Sequence, residues 1–255
     1  MTRRVAAVDC GTNSLRLLVA DVDLDRAELT DLTRRMEIVR LGEGVDETGR
    51  LAPAALDRTI GVLRGYADVM AGFAAQSVRM VATSATRDAS NAAEFVRRVS
   101  DVLGVAPEVL TGDGEAMLSF TGATAELAAD GGPFLVADIG GGSTEFVLGP
   151  PGGYGGAGSP PESRGGLGGI VPPDYTVPPS YSVNIGCVRM TERHLRGDPP
   201  TAREIAAAAA DIDAALDAVA DAVPVREAKT FVGLAGSARA CSAPNRPLSA
   251  AGPSR

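Results

Sequence analysis

The chain uses one local pattern twice. Near its start the apolar run Arg4-Val5-Ala6-Ala7-Val8 ends in Asp9, passes through Cys10-Gly11-Thr12-Asn13-Ser14, and continues into Leu15-Arg16-Leu17-Leu18-Val19-Ala20. About 130 residues later, Phe134-Leu135-Val136-Ala137 ends in Asp138 and passes through Ile139-Gly140-Gly141-Gly142-Ser143-Thr144. After Glu145 it resumes as Phe146-Val147-Leu148. Each copy reads as strand, tight turn, strand. A recurrence this widely spaced points to two related domains facing each other, with both Asp-opened hairpins aimed into one cleft. Glycine reaches positive φ at little cost and leaves its backbone N–H uncovered. Amides arranged in such a turn wrap an oxyanion, and phosphate is the commonest in cells. Asp138 and Glu145 put a carboxylate at each end of the second turn, and Mg²⁺ prefers one or two carboxylates plus phosphate oxygens.

The stretch between the hairpins alternates strand and helix. Residues 28–41 read as a third, antiparallel strand, interrupted by Asp31, Arg34, Arg35 and Glu37. Pro53 suits a first helical turn, and Leu56, Ile60, Leu63, Tyr66, Met70 and Phe73 follow at spacings of three and four, the period of an amphipathic helix. Val78 to Ala82 is a short strand that empties into a polar loop, 83–91, and then a helix to about Leu103. Arg87 lies in that loop, past a strand's carboxyl end, where α/β sheets bind ligands. Its planar fork of donors suits a phosphate, although pairing with Asp88 serves as well. Residues 107–110 read as a strand and 112–129 as a helix, with Glu115 in the first turn, where a carboxylate also favours the helix dipole.

Nine of residues 151–180 are Gly and seven are Pro, which reads as a flexible insert unable to bury a core. A strand resumes at 181–185 and a helix follows from Gly186. Thr201-Ala202-Arg203-Glu204 is a capping box. Beyond it Ile205, Ala209, Ile212, Leu216, Val219 and Val223 form an apolar stripe, with Asp211, Asp213, Asp217 and Asp221 on what reads as a solvated face. Residues 229–234 are a last strand, and 238–255 show no period and read as a disordered tail. His194, the single histidine, sits on a polar helix end and suggests no catalytic role.

Composition bounds the function classes. The net charge of −8 argues against general nucleic-acid binding. No run reaches transmembrane length and no long apolar leader is present. Three scattered cysteines, Cys10, Cys187 and Cys241, form neither a disulfide framework nor a zinc site, so a reducing cytoplasm is expected.

Asp9 through Arg16, Ala82 through Asp88, Gly114-Glu115-Ala116 and residues 138–145 follow one another in an order that resembles the exopolyphosphatase / guanosine pentaphosphate phosphohydrolase family. Residues 185–192 and 233–237 are similar to its later motifs, so the resemblance covers about 1–150 and 181–237. It implies an α/β chain with two ribonuclease-H-like, actin-like ATPase domains around a cleft, here 1–125 and 126–237, the second carrying the insert. It implies Mg²⁺-dependent hydrolysis of a terminal phosphoanhydride of inorganic polyphosphate or guanosine pentaphosphate. By the same resemblance, Glu115 orients the attacking water, Arg87 clamps the phosphoryl group, and Glu145 holds the metal or that water, with Asp9 and Asp138 as further metal ligands. Gly11, Thr12, Asn13, Ser14 and Arg16 match the first phosphate loop; Gly141, Gly142, Ser143 and Thr144 match the second.

The chain departs from the family pattern in three places. Gly114 stands where a second acid is usual, the insert replaces a short turn, and the chain drifts after Ala235-Gly236-Ser237 where members normally run on through further helices and strands. The second domain is therefore expected to be incomplete and the chain poorly stable alone, unless a partner covers the open face; a homodimer is left open. A polyphosphate- or nucleotide-binding sensor without turnover is the alternative reading. A sugar or carboxylate kinase of the same superfamily would need an adenosine pocket after Gly236, and too little chain follows to build one.

Overall fold

The computed structural model describes residues 1–26, 28–125, 127–150, 178–236 and 238. Most of the Gly/Pro insert and nearly all of the tail lie outside the described residues.

The first unit opens with β1 (Thr2–Cys10), β2 (Ser14–Asp23) and β3 (Glu28–Ile38). Then come α1 (Val45–Thr48), α2 (Pro53–Gly72), β4 (Ser77–Ala82), α3 (Ser84–Asp88), α4 (Ala92–Leu103), β5 (Glu108–Val109) and α5 (Gly112–Thr124). The second has β6 (Phe134–Ile139), β7 (Thr144–Gly149), β8 (Ser180–Val183), α6 (Cys187–His194), α7 (Ala202–Ala222) and β9 (Thr230–Leu234). The sheets run β3-β2-β1-β4-β5 and β8-β7-β6-β9. In each, the first two strands of its unit form an antiparallel hairpin and the first strand pairs in parallel with the strand after the crossover.

The duplication holds down to register. Asp9 pairs with Arg16 in the first hairpin, and Asp138 with Glu145 in the second. The turns close alike: Gly11 N donates to Ser14 O and Gly140 N to Ser143 O, both at 3.0 Å.

Alternation along β1 and β2 sends Ala6, Val8, Cys10, Leu15, Leu17 and Val19 to one face, where α2 and α4 cover them with Leu56, Ile60, Leu63, Phe95 and Val99. The helix α5 leaves this core. Its Ala116 and Phe120 pack with Phe134, Val136 and Val147 of the second sheet. A cut at residue 125 therefore leaves the last helix of the first unit serving the core of the second. On the other face of that sheet Leu135, Leu148 and Val183 meet Val219 and Val223.

Three expectations need correction. The segment 83–91 is not an open polar loop: Ser84, Ala85 and Thr86 are buried, and Thr86 N and Arg87 N both return to Thr83 O at 3.0 Å to close a helical turn. The stripe on α7 is also shifted. Ile205 and Leu216 are exposed, and Ala208 and Val219 are buried. Asp211 is not simply solvated; it accepts from Arg193 Nη1 and pairs with His194 Nε2, both at 2.8 Å.

Candidate active site

The two glycine turns touch. An ideal Cβ placed on Gly142 would lie 2.6 Å from both Thr12 Oγ1 and Ser84 Oγ, and one on Gly141 would lie 3.0 Å from Thr12 Cβ. Only residues without side chains permit this approach. The contact buries Thr12, Ser143 and Thr144, and leaves Gly11, Asn13, Ser14 and Gly141 partly open. Thr12 and Ser84 share a hydroxyl hydrogen bond of 2.9 Å, which ties the first turn to the start of α3.

The N-terminal end of α6 holds the second turn. Cys187 N donates to Gly140 O at 2.9 Å, Val188 N to Gly141 O at 2.9 Å, and Gly186 N to Gly142 O at 3.2 Å. Helix-end amides that have no partner inside the helix thus satisfy carbonyls of the turn.

Beside the turns lies a group of acids. Thr111 caps α5 by accepting from Gly114 N at 3.1 Å, which sets Glu115 in the first turn. Gly112 lies against Ser182 so closely that a Cβ there would come within 2.6 Å of the serine Cβ, which brings the start of α5 up to β8 and β7. Arg87 Nη1 donates to Leu110 O at 2.9 Å and to Glu115 Oε2 at 3.3 Å. Asp138 accepts from Ser119 at 2.6 Å, and Glu145 Oε1 from Ser182 at 2.8 Å. The other oxygen, Glu145 Oε2, is buried with no hydrogen-bond partner. On the first hairpin Arg16 Nη1 lies 3.8 Å from Asp9 Oδ2.

These carboxylates feel one another. Burial, then repulsion from Glu145, pushes Glu115 up to about 8, against the pull of Arg87. Glu145 is also raised, chiefly by burial, with the Ser143 and Ser182 hydroxyls opposing. Asp9 is raised by the protein crowding it and by Asp138 across the cleft, although nearly half its side chain stays accessible and Arg16 opposes. Acids from both hairpins and from α5 thus share one electrostatic neighbourhood. Among the described residues no three His, Cys, Asp or Glu side chains converge closely enough to form a ready-made metal cage.

A cavity of 530 Å³ borders Asp9 and Arg16 and continues past Arg34, Arg79 and Leu118. Its lining is mostly apolar, and Arg34 and Arg79 are engaged by Asp31 and Glu108.

The sequence pattern of the Ppx/GppA phosphatase family matches residues 18–250. The chain belongs to that family. It is 47% identical over 247 residues to Exopolyphosphatase 2 of Mycobacterium tuberculosis, a match covering 94% of this chain and 70% of that protein. It is 30% identical to the guanosine-5'-triphosphate,3'-diphosphate pyrophosphatase of Pseudoalteromonas atlantica, over 92% of this chain and 42% of that protein. A solved exopolyphosphatase-like protein superposes with a TM-score of 0.79 at 42% identity, covering 92% of this chain and 67% of that one. The Ppx/GppA family member of Aquifex aeolicus gives 0.65 at 30% identity, covering 97% and 72%. The fold is accordingly the actin-like ATPase fold of these phosphatases, and the family is one of phosphohydrolases.

Several participants carried no sequence signal. Ser119 and Ser182 are isolated serines whose partners lie 19 and 37 residues away. Arg189 was visible only as part of a motif, without a role.

Proposed function

We propose that the chain hydrolyses the terminal phosphoanhydride of inorganic polyphosphate, or the corresponding bond of guanosine pentaphosphate. The observation that carries this reading is the convergence of Glu115 and Arg87 beside two touching glycine turns. Water attacks the terminal phosphorus in line; a new P–O bond forms from the water oxygen as the bridging P–O bond breaks, releasing orthophosphate and a chain one phosphate shorter. Glu115 orients the water and takes its proton. Arg87 leans from Glu115 onto the phosphoryl oxygens, where its fork of donors meets the charge spread over them. Amides of Asn13 and Gly141 receive the remaining phosphate oxygens, while the Gly11 amide closes its turn onto Ser14 O. Since the turns touch at Thr12 and Gly142, substrate enters when the second turn draws back from the first.

A divalent cation fits the acids. Glu145 Oε2 is buried without a partner, and Glu115, Glu145 and Asp9 are all raised, first by burial and further by neighbouring carboxylates. Mg²⁺ keeps several waters and needs only one or two carboxylates directly, so a closed cage is not required. Asp9, Asp138 and Glu145 would hold it, and it would supply neutralisation of phosphate oxygens. Without it burial and the Glu145 charge favour the protonated form of Glu115, which opposes its action as the base.

Phosphate release from long-chain polyphosphate and from guanosine pentaphosphate, side by side with Mg²⁺, tests this reading. The expected result is a steady release of orthophosphate from at least one. A second reading, a polyphosphate sensor without turnover, draws support from the buried Thr12, Ser143 and Thr144. Filter-retained polyphosphate with no orthophosphate release would establish it instead. Two free thiols among the described residues, Cys10 and Cys187, agree with a cytoplasmic protein.

A further inference from the structure

One guanidinium outside the acid cluster joins three segments. Arg189 lies on α6, with its side chain only 11% exposed. Its Nε donates to Gly142 O, in the second glycine turn, at 2.7 Å. Its Nη1 donates to Asp46 Oδ1 on α1 at 2.6 Å, and its Nη2 to Asp88 Oδ2 at the end of α3. Asp46 is further gripped by Arg193, whose Nε and Nη2 each lie 3.1 Å from its oxygens. Glu192, between the two arginines, accepts from Gly44 N at 3.1 Å. The helix that holds the second turn therefore also clasps the first unit.

The contact with Asp88 bears on the chemistry. Asp88 follows Arg87 directly, and its second oxygen, Oδ1, lies 4.0 Å from Arg87 Nε. Glu115 is the carboxylate nearest Arg87, 3.3 Å from Nη1. Asp88 is the next, and unlike Glu115 it has no part in the reaction proposed above, so it competes for the guanidinium that must meet phosphate. Arg189 takes its other oxygen and holds it toward the second turn. We propose that Arg189 is a positioning residue that keeps Asp88 off Arg87, so that closing the second turn over the first and freeing Arg87 for phosphate are one event. This rests on the role given to Arg87 above. When the units part, Arg189 leaves with the second turn, Asp88 pairs with Arg87, and the site is disarmed until it closes again.

The test uses Arg189→Gln, Asp88→Asn and the double variant of the whole chain, with urea unfolding to verify that each folds. The first readout is independent of substrate: the ¹⁵N resonance of Arg87 Nε, assigned through Arg87→Lys. It shifts in Arg189→Gln, as the guanidinium pairs with Asp88, and returns toward the wild-type position in the double variant. An unmoved resonance in Arg189→Gln overturns the proposal, whatever the substrate proves to be. The second readout is polyphosphate turnover. Losing one charge-assisted contact in the transition state lowers kcat by about 10- to 100-fold. Removing the competitor in the double variant restores kcat several-fold over Arg189→Gln. A residue that only glued the units together would give a double variant no faster than Arg189→Gln, and that result also overturns the proposal. If wild type releases no orthophosphate while the resonance behaves as described, the reading of the reaction fails and the positioning of Asp88 stands.

Discussion

Replacing Glu115 with Gln removes its charge and keeps its shape, and the two consequences can be measured apart. Free of divalent cation, the carboxyl titrates at about 8 against an ordinary 4.5, because it is buried beside Glu145. A carboxyl raised in the folded state binds more protons folded than unfolded. Its contribution to stability is complete below its unfolded value and is lost as pH climbs through the folded one. The whole gap corresponds to roughly 5 kcal/mol. Glu145 shares the same repulsion and takes up part of the proton that Glu115 gives away, which leaves about 1–3 kcal/mol for the single substitution. In urea unfolding with a chelator present, Glu115→Gln should match wild type at about pH 4 and exceed it by about 1–3 kcal/mol at about pH 9. Turnover with Mg²⁺ should fall by about 10²- to 10⁴-fold, the usual contribution of a general base, while filter-bound polyphosphate is retained nearly as before. A stability difference that is the same at both pH values would refute the crowding of negative charge. Wild-type turnover would refute the role as base.

Three further outcomes follow from the same geometry. Adding Mg²⁺ to wild type should flatten the fall in stability as pH rises to about 9, since a cation relieves the repulsion that raises Glu115; Glu145→Gln removes part of that repulsion itself, so its fall should be shallower from the start and little changed by Mg²⁺, with weaker Mg²⁺ binding by calorimetry. Gly142→Ala puts a methyl 2.6 Å from Thr12 Oγ1 and Ser84 Oγ, so the turns cannot close. Turnover should drop by at least about 10²-fold, the scale of a 1 Å misplacement at a reacting centre, while circular dichroism stays that of the wild type. Thr201→Ala removes the cap of α7, far from the acids, and should cost about 1 kcal/mol in urea unfolding with turnover unchanged.

What could be read from the sequence was what depends on neighbours along the chain. Asp9 and Asp138 stand out because apolar alternation stops at each and glycine begins, and the hairpins form in the register that those turns dictate. The capping box at Thr201 and Glu204 is local in the same way, and both of its hydrogen bonds form. The short helix α3 was hidden because Thr83-Ser84-Ala85-Thr86 has weak helix propensity; it forms because burial of Ser84, Ala85 and Thr86 overrides that preference. On α7 the large residues suggested the buried face, yet Ala208 is buried and Ile205 exposed, because which face of a helix is covered depends on neighbours distant in the chain.

The site itself is assembled at long range, which explains why motifs named its members without giving its logic. Gly142 meets Thr12, Arg189 reaches Asp46 and Asp88, and Glu192 reaches Gly44, all across more than a hundred residues of chain. Duplication of a hairpin gives each unit a glycine turn and an acid, but two equivalent units give no reason for asymmetry. The asymmetry comes from the helices that cross between them. The first unit lends α5, and with it Glu115, to the second sheet; the second lends α6, and with it Arg189, to the first unit. In the reaction proposed above, chemistry belongs to the closed arrangement, because neither unit alone brings Arg87, Glu115 and Glu145 together with Asp88 held aside. Separating the units should abolish turnover without unfolding either hairpin, and a variant that weakens the Arg189 and Arg193 grip on Asp46, such as Asp46→Asn, should make turnover more sensitive to salt than wild type, because the remaining contacts across the cleft are charged and partly exposed.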